Sequence, residues 1–301
     1  MTTSPKPSPV AACLACLVLA GCAAPLQPVA DFGAAARHLA EAYKPFTSGL
    51  GDSCEQRARY KAIGNAGAFD DAAAQREAAR ECRPLKEAAA TAALFAKALG
   101  DYAAALASLS GVKANAFDSE LRGVSSAAAK LENRAGDALF DSAKLSAASR
   151  LARAAAQMTL EGRQRRLTRA TLQDNQEALG VVVEAMKTYA GAIYAGQLRD
   201  THDVMAGELA RLVLASTAAT QAEVEARLPW RFAQAGMRAD LAANELEARH
   251  VQAFARSADA LLAAHAALVS DFDQLGDLQR LAQVADFVTR VQEIGADVGR
   301  L

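Results

Sequence analysis

Glu247 and His250 stand three residues apart in Glu247-Ala248-Arg249-His250. On a helix that spacing sets a carboxylate and an imidazole on one face. Such a pair is half of the ligand set that holds a di-metal centre inside a helical bundle. The other half needs a second pair on a facing helix, and none of His38, His202 and His265 has a Glu three residues before it. The expectation is therefore a solvated helix face, with no metal and no other cofactor. His265 differs, because it falls between Leu261 and Leu268 on the apolar stripe of its own segment. An imidazole there is expected at the edge of the core with one hydrogen bond, the alternative being a pH-sensing or ligand role. Arg163, Arg165, Arg166 and Arg169, with Arg150 and Arg153 nearby, make the one basic concentration. No aromatic residues interleave with them, so base stacking is not suggested. A solvated face or helix end is expected, against a site for lipid headgroups or an acidic partner. H-E-x-x-H, G-x-S-x-G, P-loop and G-x-G-x-x-G patterns are all missing, and catalysis is not expected.

Five cysteines carry the remaining chemistry. Cys22 closes the tetrapeptide Leu19-Ala20-Gly21-Cys22, which follows a polar start bearing Lys6 and an eleven-residue apolar run from Val10 to Ala20. That layout is a secretory signal, and the run is about half of the roughly 20 residues a membrane-spanning helix requires. With Cys at the cleavage point, residues 1 to about 24 resemble the precursors of bacterial lipoproteins. The resemblance implies cleavage before Cys22, a diacylglycerol on the Cys22 sulfur and a fatty acid on the new amino group. With Ala23 next in the chain it also implies the outer membrane, facing the periplasm, the cell surface being the alternative. Cys13 and Cys16 would leave with the signal, and Cys54 and Cys82 would remain in an oxidising compartment, where two thiols are expected to pair.

Residues 1–21 are thus read as signal and residues 22–30 as the lipidated Cys with a short Pro-bearing tether, leaving 31–301 for the fold. Hydrophobic residues make up 52% of the chain but aromatics only 5%, and roughly a quarter of all residues are Ala. Small, helix-favouring side chains point to closely packed helices. The formal charge is -1, or -2 once Lys6 is removed, too little to steer the chain toward polyanions. Nucleic acid is not an expected partner. No charge-free stretch after the signal approaches the length of a span, so the lipid would be the sole membrane anchor.

The period of the apolar residues gives the elements. A first helix is expected from Asp31 to Tyr43 or Phe46, then a loop over Ser48-Gly49-Leu50-Gly51-Asp52. A second helix starts near Ser53 and stops at Gly64-Asn65-Ala66-Gly67, and the next starts at Asp70. In this hairpin, about 53–83, Cys54 and Cys82 are equidistant from residue 68 at the turn, so their sulfurs should meet. After a kink at Pro84, Phe95, Leu99, Tyr102, Leu106 and Leu109 form a coiled-coil seam in a segment running to Val112. Asn115 and Asp118 offer a restart, with helical patterns from Leu121 to Leu160. A further seam runs through Leu172, Leu179, Val183, Met186, Ala190 and Ile193, and another through Met205, Leu209, Leu212, Ser216 and Ala219. Pro229 opens a long helix carrying Trp230, Phe232, Leu241, Leu246, Phe254, Leu261, Leu268 and Phe272. A turn near 270–276 leads to a last helix with Leu281, Val284, Val288, Val291 and Val298.

These readings converge on an all-α, elongated antiparallel bundle with coiled-coil-like packing. The functional expectation is a lipid-anchored, non-catalytic component of the bacterial cell envelope, with the membrane and an envelope protein as partners. Two alternatives stand beside it: a bundle that binds a metal or small ligand, or acts on one, and an immunity or inhibitor lipoprotein against an envelope-acting toxin.

Overall fold

The computed structural model describes residues 26–64, 69–109, 140–161, 165–217, 227–277, 279 and 281–298. The signal with Cys22, the 65–67 turn, Asn115, Asp118, Arg163 and Ala219 lie outside these residues. Among the described residues eight α-helices follow in order: α1 (Gln27–Ala42), α2 (Lys44–Gly64), α3 (Asp71–Leu109), α4 (Ser142–Glu161), α5 (Arg165–Thr188), α6 (Ala195–Thr217), α7 (Arg227–Ser270) and α8 (Ala282–Val298). A π-helical turn, Tyr189–Tyr194, joins α5 to α6 in one continuous rod, and a 3-10 turn, Phe272–Gln274, follows α7. No strand occurs among the described residues.

Proline placement explains much of this layout. Pro28, Pro45 and Pro229 fall in the first turns of α1, α2 and α7, where a missing N–H leaves no hydrogen bond unmade. Pro84 does not end its helix: α3 runs unbroken through it. Its side chain faces solvent, as does residue 80, whose carbonyl loses the N–H that Pro84 lacks, so water can serve that acceptor.

The α1–α2 pair runs antiparallel to α3, with Cys54 bonded to Cys82 at a Cα separation of 5.8 Å. The hairpin geometry expected from the cysteine positions is realised. α4 covers α3 and α5, and α8 covers α7 and α1. The α5–α6 rod runs parallel to α1–α2, with Ser53 beside Thr201, and antiparallel to α7, with Leu198 beside Asn244. One contiguous apolar core threads through all of these elements except the far end.

Three expectations are corrected. The tether is shorter than residues 22–30, because helix begins at Gln27 and Val29 and Ala30 are already buried. The expected loop at 48–52 is helix. Its glycines serve close packing: a Cβ on Gly49 would come 2.5 Å from the Tyr194 hydroxyl, and one on Gly51 would come 2.7 Å from the Lys86 side chain. Aromatics, too sparse by count to suggest a globular core, are concentrated in it. Phe32, Tyr43, Phe95, Tyr102, Tyr189 and Phe254 are among the largest fully buried side chains.

Seam assignments shift in detail. In the α5 seam Tyr194 is buried and Ile193 only half so, because the π turn advances the stripe by one residue. Leu209 and Leu212 are half-buried, and Phe232 is exposed. On α8, Phe287 is fully buried while Val288 sits at its margin.

Candidate functional site

One face of α7 carries Asp240, Asn244, Glu247 and His250 at three- and four-residue spacing, and the first three meet α2, α6 and the π turn in that order. Tyr60 on α2 donates to Asp240 at 2.6 Å. The Asn244 amide donates to the Leu198 carbonyl at 3.1 Å. Glu247 accepts a short hydrogen bond from the Tyr194 hydroxyl, for which Gly49 leaves room. Burial first, and then the Glu247 carboxylate, hold the Tyr194 phenol well above its ordinary value, so it stays a neutral donor. His250 is buried, and its Nε2 meets no protein partner. The face expected to be solvated therefore points inward at His250, since helical period carries it onto the stripe that ends in Phe254 and Leu261. Glu247 and His250 do not converge with further ligands. Among the described residues no group of three or more His, Cys, Asp and Glu side chains is placed to hold a metal ion.

Beside this face the packing is polar. Thr201 shares a 2.9 Å hydrogen bond with Ser53 and donates to the Gln197 carbonyl at 2.8 Å. Arg57 bridges Glu81 and Asp200, each at 3.2 Å, and Lys86 meets Glu55 at 2.6 Å. Each of these residues is occupied in holding helices together.

His265 lies deeper than the core edge expected of it, 1% exposed, with its ring 5.6 Å from that of Phe32. The single expected hydrogen bond is present, between Nε2 and the Tyr102 hydroxyl at 3.1 Å, while Nδ1 has no partner. Burial pushes the imidazole pKa down to about 4, so the ring is neutral at physiological pH. The tautomer with the proton on Nε2 leaves Nδ1 as a bare acceptor. That is the cheaper arrangement, because an unpaired buried N–H is the rarer defect in folded proteins.

Two of the described arginines, Arg165 and Arg169, are tied to the turn after α7. Arg165 donates to the Phe272 carbonyl at 2.9 Å, and its guanidinium stands 5.2 Å from the centre of the Phe272 ring. Arg169 meets the Asp273 carboxylate at 2.9 Å. Together they clamp the start of α5 to the turn after α7; Arg165 is half-buried, and Arg166 and Arg169 are exposed.

A further opening lies elsewhere. A groove of about 890 Å³ runs between α1 and α8, from Pro28 to Ala42 on one wall and from Leu281 to Gln292 on the other. Its floor is apolar, with Ala35, Leu281, Val284 and Val291 buried, and its rim carries Asp31, His38, Glu41, Thr289 and Gln292. Ala34, Ala35 and Ala42 line its α1 wall, and their small side chains leave the space between the helices unfilled. Sequence reasoning missed this groove. Its signal was the run of alanines on the α1 face opposite a valine-rich α8, and alanines are too common in this chain for the run to stand out.

No protein-family model, curated protein or solved structure matches the chain. No described helix is long and apolar enough to cross a membrane.

Proposed function

We propose that this chain is a lipid-anchored, non-catalytic bundle of the bacterial cell envelope, fastened to the outer membrane through Cys22 and offering its far end to another envelope protein. The observation that carries the reading is the disposition of apolar groups at the two ends of the rods. α1 begins five residues after Cys22, so a lipid there fastens the Gln27 end. At the other end Ile63, Phe69, Leu214 and Phe232 are exposed, the last two at 70%. These four come from separate segments, which are tied together nearby by the Tyr60–Asp240 bond and by Arg211, which reaches the Gly64 carbonyl. Single exposed apolar residues are ordinary, but several gathered at one end are the pattern of a protein contact. Helices of 39 and 44 residues set the two ends about 60 Å apart at 1.5 Å per residue.

Envelope fractionation tests the anchor: Cys22→Ala should leave protein that is unprocessed or released and no longer partitions with membranes. A photocrosslinking residue at Phe232 tests the contact. In intact envelopes it should yield a larger adduct that a probe at Asp174, exposed on the side of α5, does not. An unchanged membrane fraction removes the anchor from the reading, and a silent Phe232 probe removes the partner.

A further inference from the structure

We infer that the groove between α1 and α8 is the seat of an acyl chain carried on Cys22 of the same molecule, a stowed position for the lipid anchor. The inference rests on the lipoprotein reading and adds to it a place for the lipid outside the bilayer.

Shape is the first reason. At about 890 Å³ the groove lies in the upper part of the range of roughly 300 to 1,000 Å³ typical of small-molecule sites. It is long: its α1 wall from Pro28 to Ala42 extends about 21 Å at 1.5 Å per residue, the form a linear hydrocarbon requires. The second reason is composition, since its floor is built from alanine, valine and leucine side chains and its polar groups stand along the rim.

Reach is the third. Pro28, at the Gln27 end of the groove's α1 wall, stands in the first turn of a helix that begins five residues after Cys22, a connection that spans at most about 17 Å when extended. The lipid can therefore enter without any change in α1. Charge is the fourth, and it selects the source. The rim presents the carboxylates of Asp31 and Glu41, and the only imidazole there, His38, lies 3.6 Å from Glu41. A free fatty acid would bring its own carboxylate against these groups. A chain attached through the uncharged thioether of Cys22 brings none.

The test uses the processed lipoprotein from cells fed a fatty acid with a diazirine near its tail. After release into dilute mild detergent and irradiation, the acyl chain should be found attached to peptides of α1 and α8. Ala34→Arg with Ala285→Arg places two charges in the groove at exposed positions, and should cut that crosslinking at least five-fold while the thermal midpoint and the acyl mass on the Cys22 peptide stay unchanged. Acylated Cys22 with crosslinks only to detergent, or only to other helices, overturns the inference while leaving the lipoprotein reading intact. A Cys22 peptide without acyl mass overturns both. A secreted Cys22→Ser form behind an ordinary signal peptide supplies the last arm: free photoreactive fatty acid on its α1 and α8 peptides would overturn the assignment to the molecule's own anchor.

Discussion

Toward its Gln27 end the bundle is held by interlocking aromatic rings and alanines, whereas toward its Gly64 end it is held by bonds that have direction. Around Phe32, Tyr43, Phe95, Tyr102 and Phe254, ring packs on ring and little else is needed. Beyond Cys54, α2 buries no further residue. There the disulfide, the Arg57 bridge, Lys86–Glu55, the Ser53–Thr201 pair and Tyr60–Asp240 take over. The difference teaches how a long helical rod is kept together where its apolar stripe fades: links that depend on geometry replace those that depend on area.

The comparison can be broken first at the aromatic end. Phe254 has its ring 5.1 Å from Tyr43 and 5.4 Å from Phe46, and Phe254→Ala should cost about 3 to 5 kcal/mol in a denaturant titration. Of a typical stability of roughly 5 to 15 kcal/mol that is a large share. A loss under about 1 kcal/mol would show that stability does not reside there. Removing the clasp by Cys54→Ala with Cys82→Ala should cost about 3 to 4 kcal/mol if the loop it closes acts through chain entropy. Hydrogen exchange should then rise in α2 after residue 54 and in α3 before residue 82, with the neighbourhood of Phe32 still protected. A rise spread evenly over the molecule would abolish the distinction between the two ends.

A third experiment uses pH. Burial lowers the His265 pKa from the ordinary 6.5 to about 4 in the folded protein. The unfolded chain therefore binds the proton first as pH falls, so stability is complete above about pH 6.5 and is lost progressively down to about pH 4. The loss is on the order of 3 kcal/mol. His265→Leu should flatten that limb of the stability curve; a limb as steep as before would assign the acid sensitivity to other groups. A fourth contrasts two glycines. On Gly33 a Cβ would meet the Ala103 carbonyl at 2.6 Å and the Ala107 nitrogen at 2.8 Å, backbone atoms that cannot give way, and Gly33→Ala should cost about 1 to 3 kcal/mol. On Gly51 it would meet only the flexible Lys86 side chain, so Gly51→Ala should be neutral or gain up to about 1 kcal/mol from helix propensity. Equal costs at the two positions would contradict tighter backbone packing at the aromatic end. The smallest effect belongs to Arg169→Ala, under about 1 kcal/mol for an exposed pair and fading with added salt.

Helical class, the Cys54–Cys82 pair and the single hydrogen bond of His265 were legible because each follows from spacing along one helix or one hairpin. The Gly49–Gly51 stretch misled, because a glycine that admits a neighbouring side chain and a glycine that makes a turn look alike until the neighbour is known. Arg165 and Arg169 misled in the same way: their partners on the Phe272–Gln274 turn lie more than a hundred residues away. The inward turn of His250 and the groove beside α8 depend on which helices become neighbours, and amphipathic periods alone do not specify that.

The π turn at Tyr189–Tyr194 bears on how such a rod can change over generations. Met186, Ala190 and Tyr194 are buried at successive four-residue steps, eight residues where two α-helical turns take about 7.2. The wider turn absorbs the surplus and keeps one face inward through Leu198, Thr201 and Met205. Loss of a single codon here, leaving plain α-helix, would remove that surplus and keep everything downstream within about 20° of its present phase, whereas the same loss within regular α-helix would rotate it by about 100°. Thr201 would stay on the side of Ser53, with Gln197 beside it. Both the reading frame of the gene and the phase of the helix would survive such a deletion, which makes these six residues the place where this rod is most free to shorten by one.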